Sequence, residues 1–182
     1  MIELSQHILD IAENSIRAGA KLISISITED STNDLLKIEI KDDGCGMEPE
    51  EIARALDPFY TTKTVRRVGL GLPLLKKAAE AAGGNLQINS VSGRGTEVSA
   101  CFQRSHIDRQ PLGNILSTLL TLLIANSGID FIYNHRHNDR QFLLDTRLLR
   151  QEIGDVPIQH PEIMKYIREV IQEGLLDIDT QV

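Results

Sequence analysis

Apolar residues recur every three or four positions over residues 3–18, where Leu4, Ile8, Ile11 and Ser15 fall on one stripe that Ala12 and Ile16 widen. That period predicts an amphipathic helix, stopped by Gly19-Ala20. The period then drops to two. In KLISISIT, Ile23, Ile25 and Ile27 alternate with Leu22, Ser24 and Ser26, which predicts a half-buried strand. LLKIEIKDDG is a second strand, ending in acids and glycines. Pro49 marks a helix N-terminus at PEEIARAL. DPFYTTKTVRRVGLG reads as a loop, and LPLLKKAAEAAGG as a helix opened by Pro73 and closed by Gly83-Gly84. NLQINSV and TEVSACFQ are strands joined by the turn SGRG.

The order helix, two strands, helix, loop, helix, two strands predicts an α/β fold. It is an α+β two-layer sandwich in which a mixed sheet carries helices on one face. After Arg104 the pattern changes, so two parts are expected, residues 1–104 and a small α/β C-terminal extension, residues 105–182. In the extension PLGNILSTLLTLLIAN reads as one helix with Pro111 near its start. IDFIYNHRHNDRQFLLDT reads as a hairpin turning near Asn138-Asp139. PEIMKYIREVIQEGLL is a final helix, with Ile163, Ile167 and Ile171 spaced by four and Val170 beside them. The nearly all-apolar run LLTLLIA must be buried. A core under the hairpin is the first expectation and a homodimer interface the second.

Composition narrows the class. The chain has 182 residues, 41% hydrophobic but only 4% aromatic, so its core is built from Leu, Ile, Val and Ala. A net charge of −7 argues against nonspecific binding to nucleic acid or anionic lipid, although KTVRR (Lys63 to Arg67) is a local basic cluster. Cys45 and Cys101 lack metal-ligand spacing and fit free thiols in a reducing compartment. The N-terminus is already amphipathic and acidic, and the longest apolar stretch is too short to span a bilayer. A cytoplasmic protein is expected, with neither nucleic acid nor membrane as partner.

Four short patterns carry chemistry. Asp10 and Asn14 are four apart and share one helix face; a solvated polar face is the plain alternative. KDDGCGM follows a strand, and its spaced glycines permit close backbone approach; a strand-ending turn is the alternative. VGLGLPLL sets glycines before a helix start, where N–H groups and the helix dipole suit a phosphate. It matches neither the dinucleotide fingerprint nor the ordinary P-loop. SGRGTEV is a glycine turn, at minimum a hairpin.

Taken in order, LDIAENSIRAGAK, DDGCGM, DPFYTTK, VGLGLPLLKKAAEAAGG and SGRGTEV resemble the N, G1, F, G2 and final glycine boxes of the GHKL ATPase superfamily. That superfamily includes gyrase, the Hsp90 chaperones, histidine kinases and the mismatch-repair ATPases. The first box looks most like the mismatch-repair ATPases and the later ones like sensor histidine kinases. The resemblance covers roughly residues 1–104 and implies a Bergerat-type fold that binds ATP with Mg²⁺. It implies that Asn14 ligates Mg²⁺, which suits a hard ion with few protein ligands, and that Arg17 lies near a phosphate. Asp42 is implied as the acceptor for the adenine amino group, with Gly44 and Gly46 passing close to the base and Asp43 solvated. Residues 58–72 resemble the ATP lid, with Lys63 at a phosphate and Gly69, Leu70, Gly71 and Leu72 presenting amides. Thr96 resembles the threonine that closes the pocket.

Two positions depart from the pattern. Arg67 stands where the kinase G2 box usually has glycine. Asp10 stands where ATP-hydrolysing relatives carry a general-base Glu, so the carboxylate is retained with a reach about one methylene shorter. Glu13 points about 100° away around the helix and is the poorer base.

The leading expectation is an Mg-ATP-binding regulatory protein that acts on a partner protein in signal transduction, as a kinase in trans. Stand-alone relatives phosphorylate a serine on a partner. The alternatives are a slow ATPase or nucleotide-responsive binding module, and an assembly role for residues 105–182. SHIDRQPLGN has the spacing of a phosphoacceptor box at His106, but Ile107 replaces the usual acid and no pair of long helices frames it, so His106 reads as a linker residue. His135 and His137 share a strand face, with Asp139 nearby but no third metal ligand, so a polar hairpin tip is expected there.

Overall fold

The computed structural model describes residues 3–57 and 71–179. Helix α1 (Leu4–Arg17) leads into strands β1 (Leu22–Asp30) and β2 (Leu35–Asp42). Helices α2 (Pro49–Ala55) and α3 (Gly71–Ala81) precede β3 (Asn85–Val91) and β4 (Gly95–Gln103). The remainder is α4 (Ile115–Ala125), β5 (Asp130–His137), β6 (Arg140–Asp145), α5 (Thr146–Ile153) and α6 (Pro161–Asp177). The strands form one sheet in the order β3-β4-β2-β1-β5-β6. It is mixed because β1 and β5 pair in parallel while the other neighbours are antiparallel.

The alternation in each strand fixes which face is buried. The register lines up Ile88, Val98, Ile40, Ile25, Tyr133 and Leu144 across all six strands. Five of these are buried and Ile88 is packed against the same core. Helices cover this inner face. On the outer face Ser24, Ser26, Lys37 and Glu39 remain half-exposed, as period-two patterning demands. Each large aliphatic side chain so buried contributes about 1.5–3 kcal/mol.

Residues 105–179 join the same sheet and the same core. The run LLTLLIA packs inside the molecule: α4 buries Ile115, Leu119, Leu120, Leu122 and Leu123 and lies against α1 and α6. Helix α4 starts later than the position of Pro111 suggests. Asn114 is its cap and accepts from Ser117 N at 2.7 Å. Pro111 is held outside because the carbonyls of Pro111 and Leu112 accept from Leu4 N (2.9 Å) and Ser5 N (2.8 Å). The segment therefore caps α1, supplying partners for N–H groups that a helix start leaves unpaired. Helix α5 was not legible in the periodicity. Asp145 caps it by accepting from Arg147 N at 2.9 Å.

The hairpin turns at Asn138-Asp139 as expected, with Asn138 at φ 52°. Its histidines do not form a polar tip. The β1–β5 register pairs His135 with Ile27 and turns it inward, where it is 0% exposed. His135 Nδ1 lies 2.8 Å from the Tyr133 hydroxyl and Nε2 lies 3.0 Å from Glu29 Oε1. Burial drives the Tyr133 hydroxyl well above its ordinary pKa, so it stays protonated. His137 Nδ1 is 2.8 Å from the Ile178 carbonyl at the end of α6. Among the described residues no group of three or more His, Cys, Asp or Glu side chains could hold a metal ion. None of the described helices is long and apolar enough to cross a membrane.

Candidate nucleotide-binding site

Asp42 ends β2 opposite Ile23, which places its side chain on the inner face where α1 passes. It is 8% exposed. Its Oδ1 accepts from Gly44 N (2.9 Å) and Thr96 N (3.2 Å), and its Oδ2 accepts from Ser15 Oγ (2.6 Å). Three donors from three segments thus converge on one carboxylate. They bring Asp42, Gly44, Thr96 and the last turns of α1 into one site.

The glycines of this site make room for protein backbone. A Cβ on Gly44 would lie 2.9 Å from the Ala18 carbonyl oxygen and 3.0 Å from Asp42 Oδ1. Gly46 has φ +66°, and a Cβ there would run into the Val91 carbonyl. Two bonds knit the segments: Cys45 N donates to the Ala18 carbonyl at 2.9 Å and Gly93 N to the Cys45 carbonyl at 2.7 Å. Ser90 adds a third tie, its Oγ accepting from Met47 N at 2.8 Å and lying 2.8 Å from Thr96 Oγ1. Asp43 is exposed but not idle: its Oδ1 accepts from Leu22 N (2.9 Å) and Lys21 N (2.7 Å), anchoring the start of β1. The Leu22 amide is the main reason its carboxyl sits below the usual carboxylate range.

Beside Asp42 opens a cleft of about 360 Å³, lined by Ile52 of α2, Ile88, Ser90, Arg94 and Thr96. This size falls within the roughly 300–1,000 Å³ of small-molecule sites. Its lining is mixed, with Ile52, Ile88 and Val91 apolar and Lys41, Arg94 and Glu97 charged. The apolar side chains and the buried Asp42 carboxylate suit a flat heterocycle bearing an amino group.

Asn14 and Arg17 lie on the last turns of α1. Asn14 is half-buried and its Oδ1 accepts from Arg17 Nη1 at 3.1 Å, while Arg17 Nη2 pairs with Glu13 at 2.7 Å. One turn earlier, the Asp10 carboxylate rests against Gly71, the first residue of α3, so closely that Oδ2 occupies the space a Cβ would need. Gly71 is buried and Leu72 packs on the core. Lys63, Gly69, Leu70 and Arg67 lie outside the described residues. Ser15, Ser90, Ile52 and Ile88 were not singled out in the sequence. Ser15 carries the one available signal, a hydroxyl in an otherwise apolar helix stripe beside Asn14.

A family model described as histidine kinase-, DNA gyrase B-, and HSP90-like ATPase matches residues 2–106. The chain belongs to this ATPase family. Its mixed sheet with a helical layer is the α/β architecture of that GHKL family. Among curated relatives, the non-motile and phage-resistance protein of Caulobacter vibrioides is 32% identical over 116 residues, 59% of this chain and 14% of that protein. A probable C4-dicarboxylate sensor kinase of Bacillus subtilis is 35% identical over 88 residues, 48% of this chain and 16% of that protein. The DNA mismatch repair protein MutL of Rhizorhabdus wittichii is 50% identical over 54 residues, 30% of this chain and 9% of that protein. The chain thus spans well under a quarter of these relatives' lengths. A crystal structure of the N-terminal domain of a DNA repair protein superposes with a TM-score of 0.60 at 18% identity, covering 80% of this chain and 53% of that one. The shared fold therefore extends beyond the residues the family model spans.

Proposed function

We propose that this member of the ATPase family is an Mg-ATP-binding regulatory protein that acts on a partner protein, with the γ-phosphoryl group passing to that partner. The observation that carries the nucleotide reading is Asp42, a buried carboxylate held by three donors at the edge of a cleft that Ile52, Ile88 and Val91 line in part. A carboxylate so arranged accepts hydrogen bonds and does not offer them. It suits the 6-amino group of adenine and opposes the 6-oxo group of guanine.

The chain's donors also fit the metal. Asn14 offers one amide oxygen, and Mg²⁺ binds through few protein ligands, completing its shell with water and phosphate oxygens. Bound there, the ion would supply charge neutralisation to the phosphates. Arg17 bonds that same oxygen and Glu13, so its guanidinium stands beside the candidate ligand, where it would serve a phosphate. Asp10 is the base candidate, four residues before Asn14.

A second reading has its own observation. The Asp10 carboxylate is packed on Gly71, at the junction of the lid segment and α3. That contact favours a slow ATPase or a nucleotide-responsive module, in which occupancy is communicated to a partner without phosphotransfer. Incubation of the full chain and its co-purified partners with Mg²⁺ and γ-labelled ATP separates the two. Label on a partner is the expected result. Labelled free phosphate alone, or no release of label, would replace the kinase reading with the second one.

A further inference from the structure

We infer that Ser15 is a specificity-determining residue, which aims Asp42 so that only one acceptor position is left for the base. The inference rests on the reading of Asp42 as the acceptor for adenine.

An ionised carboxylate has about four acceptor positions, two on each oxygen. Two N–H groups, from Gly44 and Thr96, fill those of Oδ1. On Oδ2 the Ser15 hydroxyl takes one. Counting the described residues, a single position remains, on Oδ2. The Ser15 hydroxyl has only one hydrogen, and its two candidate acceptors are unequal. Asp42 Oδ2 is at 2.6 Å, whereas the Ile11 carbonyl is at 3.4 Å. The hydrogen therefore goes to the carboxylate.

Both partners are shielded, Ser15 at 4% exposure and Asp42 at 8%, so water does not substitute freely for either. Ser15 is also a costly choice for its place. It stands in a helix interior beside the buried Ile8, Ile11 and Ala12, where an alanine would pack without a polar group to satisfy. Among the described residues its hydroxyl bonds that carboxylate and the more distant Ile11 carbonyl alone.

Without Ser15, Oδ2 would present two open positions and the carboxylate would lose the one side-chain anchor it has among the described residues. The backbone bonds to Oδ1 would still hold Asp42 in place. What would be lost is the direction of the free lone pair, and with it the pre-organised fit to an amino group. Ser15 thus acts through Asp42, as a positioning residue for base selection.

The test is a cycle between a side chain and a ligand group. Calorimetry on the full chain compares ATP with purine riboside 5′-triphosphate, which lacks the 6-amino group, for wild type and Ser15→Ala. In wild type, removing the amino group is expected to weaken binding by about 10-fold or more, the loss of a hydrogen bond to a charged group. Ser15→Ala is expected to weaken ATP by about 5–10-fold and the purine analogue less than about 2-fold, so the effect travels through the amino group. Ser15→Thr retains a hydroxyl and is expected to keep the wild-type ratio, which separates loss of the hydroxyl from loss of the fold. Equal losses for both nucleotides in folded Ser15→Ala would overturn the inference and leave Ser15 a structural residue. If wild type bound both nucleotides equally, the Asp42 reading itself would fall, and the inference with it.

Discussion

Asp42, the proposed acceptor for adenine, is also a node of the fold. The Gly44 and Thr96 amides and the Ser15 hydroxyl that orient it come from a loop, a strand and a helix, so the site forms only when all three have packed. The glycines matter for the same reason. Gly46→Ala would force a side chain at φ +66° into the Val91 carbonyl. Left-handed backbone strain alone costs about 1–3 kcal/mol, so urea denaturation should show at least that loss, and nucleotide affinity should fall with it. A stable variant with unchanged affinity would mean that the two loops do not need to touch. At this scale the sequence was legible where spacing is informative. The DDGCGM glycines read as a close approach to a ligand, whereas Gly44 and Gly46 sit against the Ala18 and Val91 backbone; SGRG reads as a turn, and it joins β3 to β4. What could not be read was the partner of that approach, because contact between backbone segments as far apart in sequence as Gly46 and Val91 leaves no local signature. Ser15 was hidden for a different reason: its position on the apolar stripe reads as core.

Among the elements, periodicity gave both halves of the sheet and the helices that cover it, since alternation and 3.6-residue stripes are imposed by burial itself. It failed where capping decides. Pro111 usually marks a helix start, yet here its carbonyl serves α1 and Asn114 caps α4 instead. The inward turn of His135 was equally hidden, because parallel pairing of β1 with β5 is a tertiary choice. Helix α1 carries a second buried imidazole. His7 is 1% exposed, its Nε2 lies 3.0 Å from Gln110 Oε1, and its Nδ1 has no hydrogen-bond partner among the described residues. Burial pushes its pKa below the ordinary 6.5, against the pull of Gln110 and Asp10. The unfolded chain then takes up a proton that the folded chain resists. Stability is full above about pH 6.5 and declines as pH falls through that value. Denaturation at pH 7.5 and 5.5 should show this decline in wild type, and His7→Gln should flatten it. An identical decline in both proteins would remove His7 as its source.

The described residues form one sheet and one core. Strand β5 shields the flank of β1, and α4 packs on α1, the helix that carries Asp10, Asn14 and Ser15. A truncation at residue 104 would expose β1 as an edge strand and uncover part of the α1–α4 contact. Unpaired apolar edges recruit other chains. Residues 1–104 alone are therefore expected to aggregate or to unfold without cooperativity, and a soluble, cooperatively folding fragment would show that the C-terminal elements are dispensable. The proposed response to nucleotide would use this packing, since α1 carries the candidate site residues and touches α4.

That account depends first on Asp42 as the acceptor for adenine. Titration of Mg-ATP into wild type and Asp42→Asn by calorimetry tests it most directly. The amide keeps the shape but removes the charge and turns one oxygen into a donor, which would face Ser15 or the base amino group. The expected result is binding by wild type and a loss of about 10–100-fold in Asp42→Asn, the worth of a hydrogen bond to a charged group. Equal affinity for Mg-ATP in the two proteins would contradict the account.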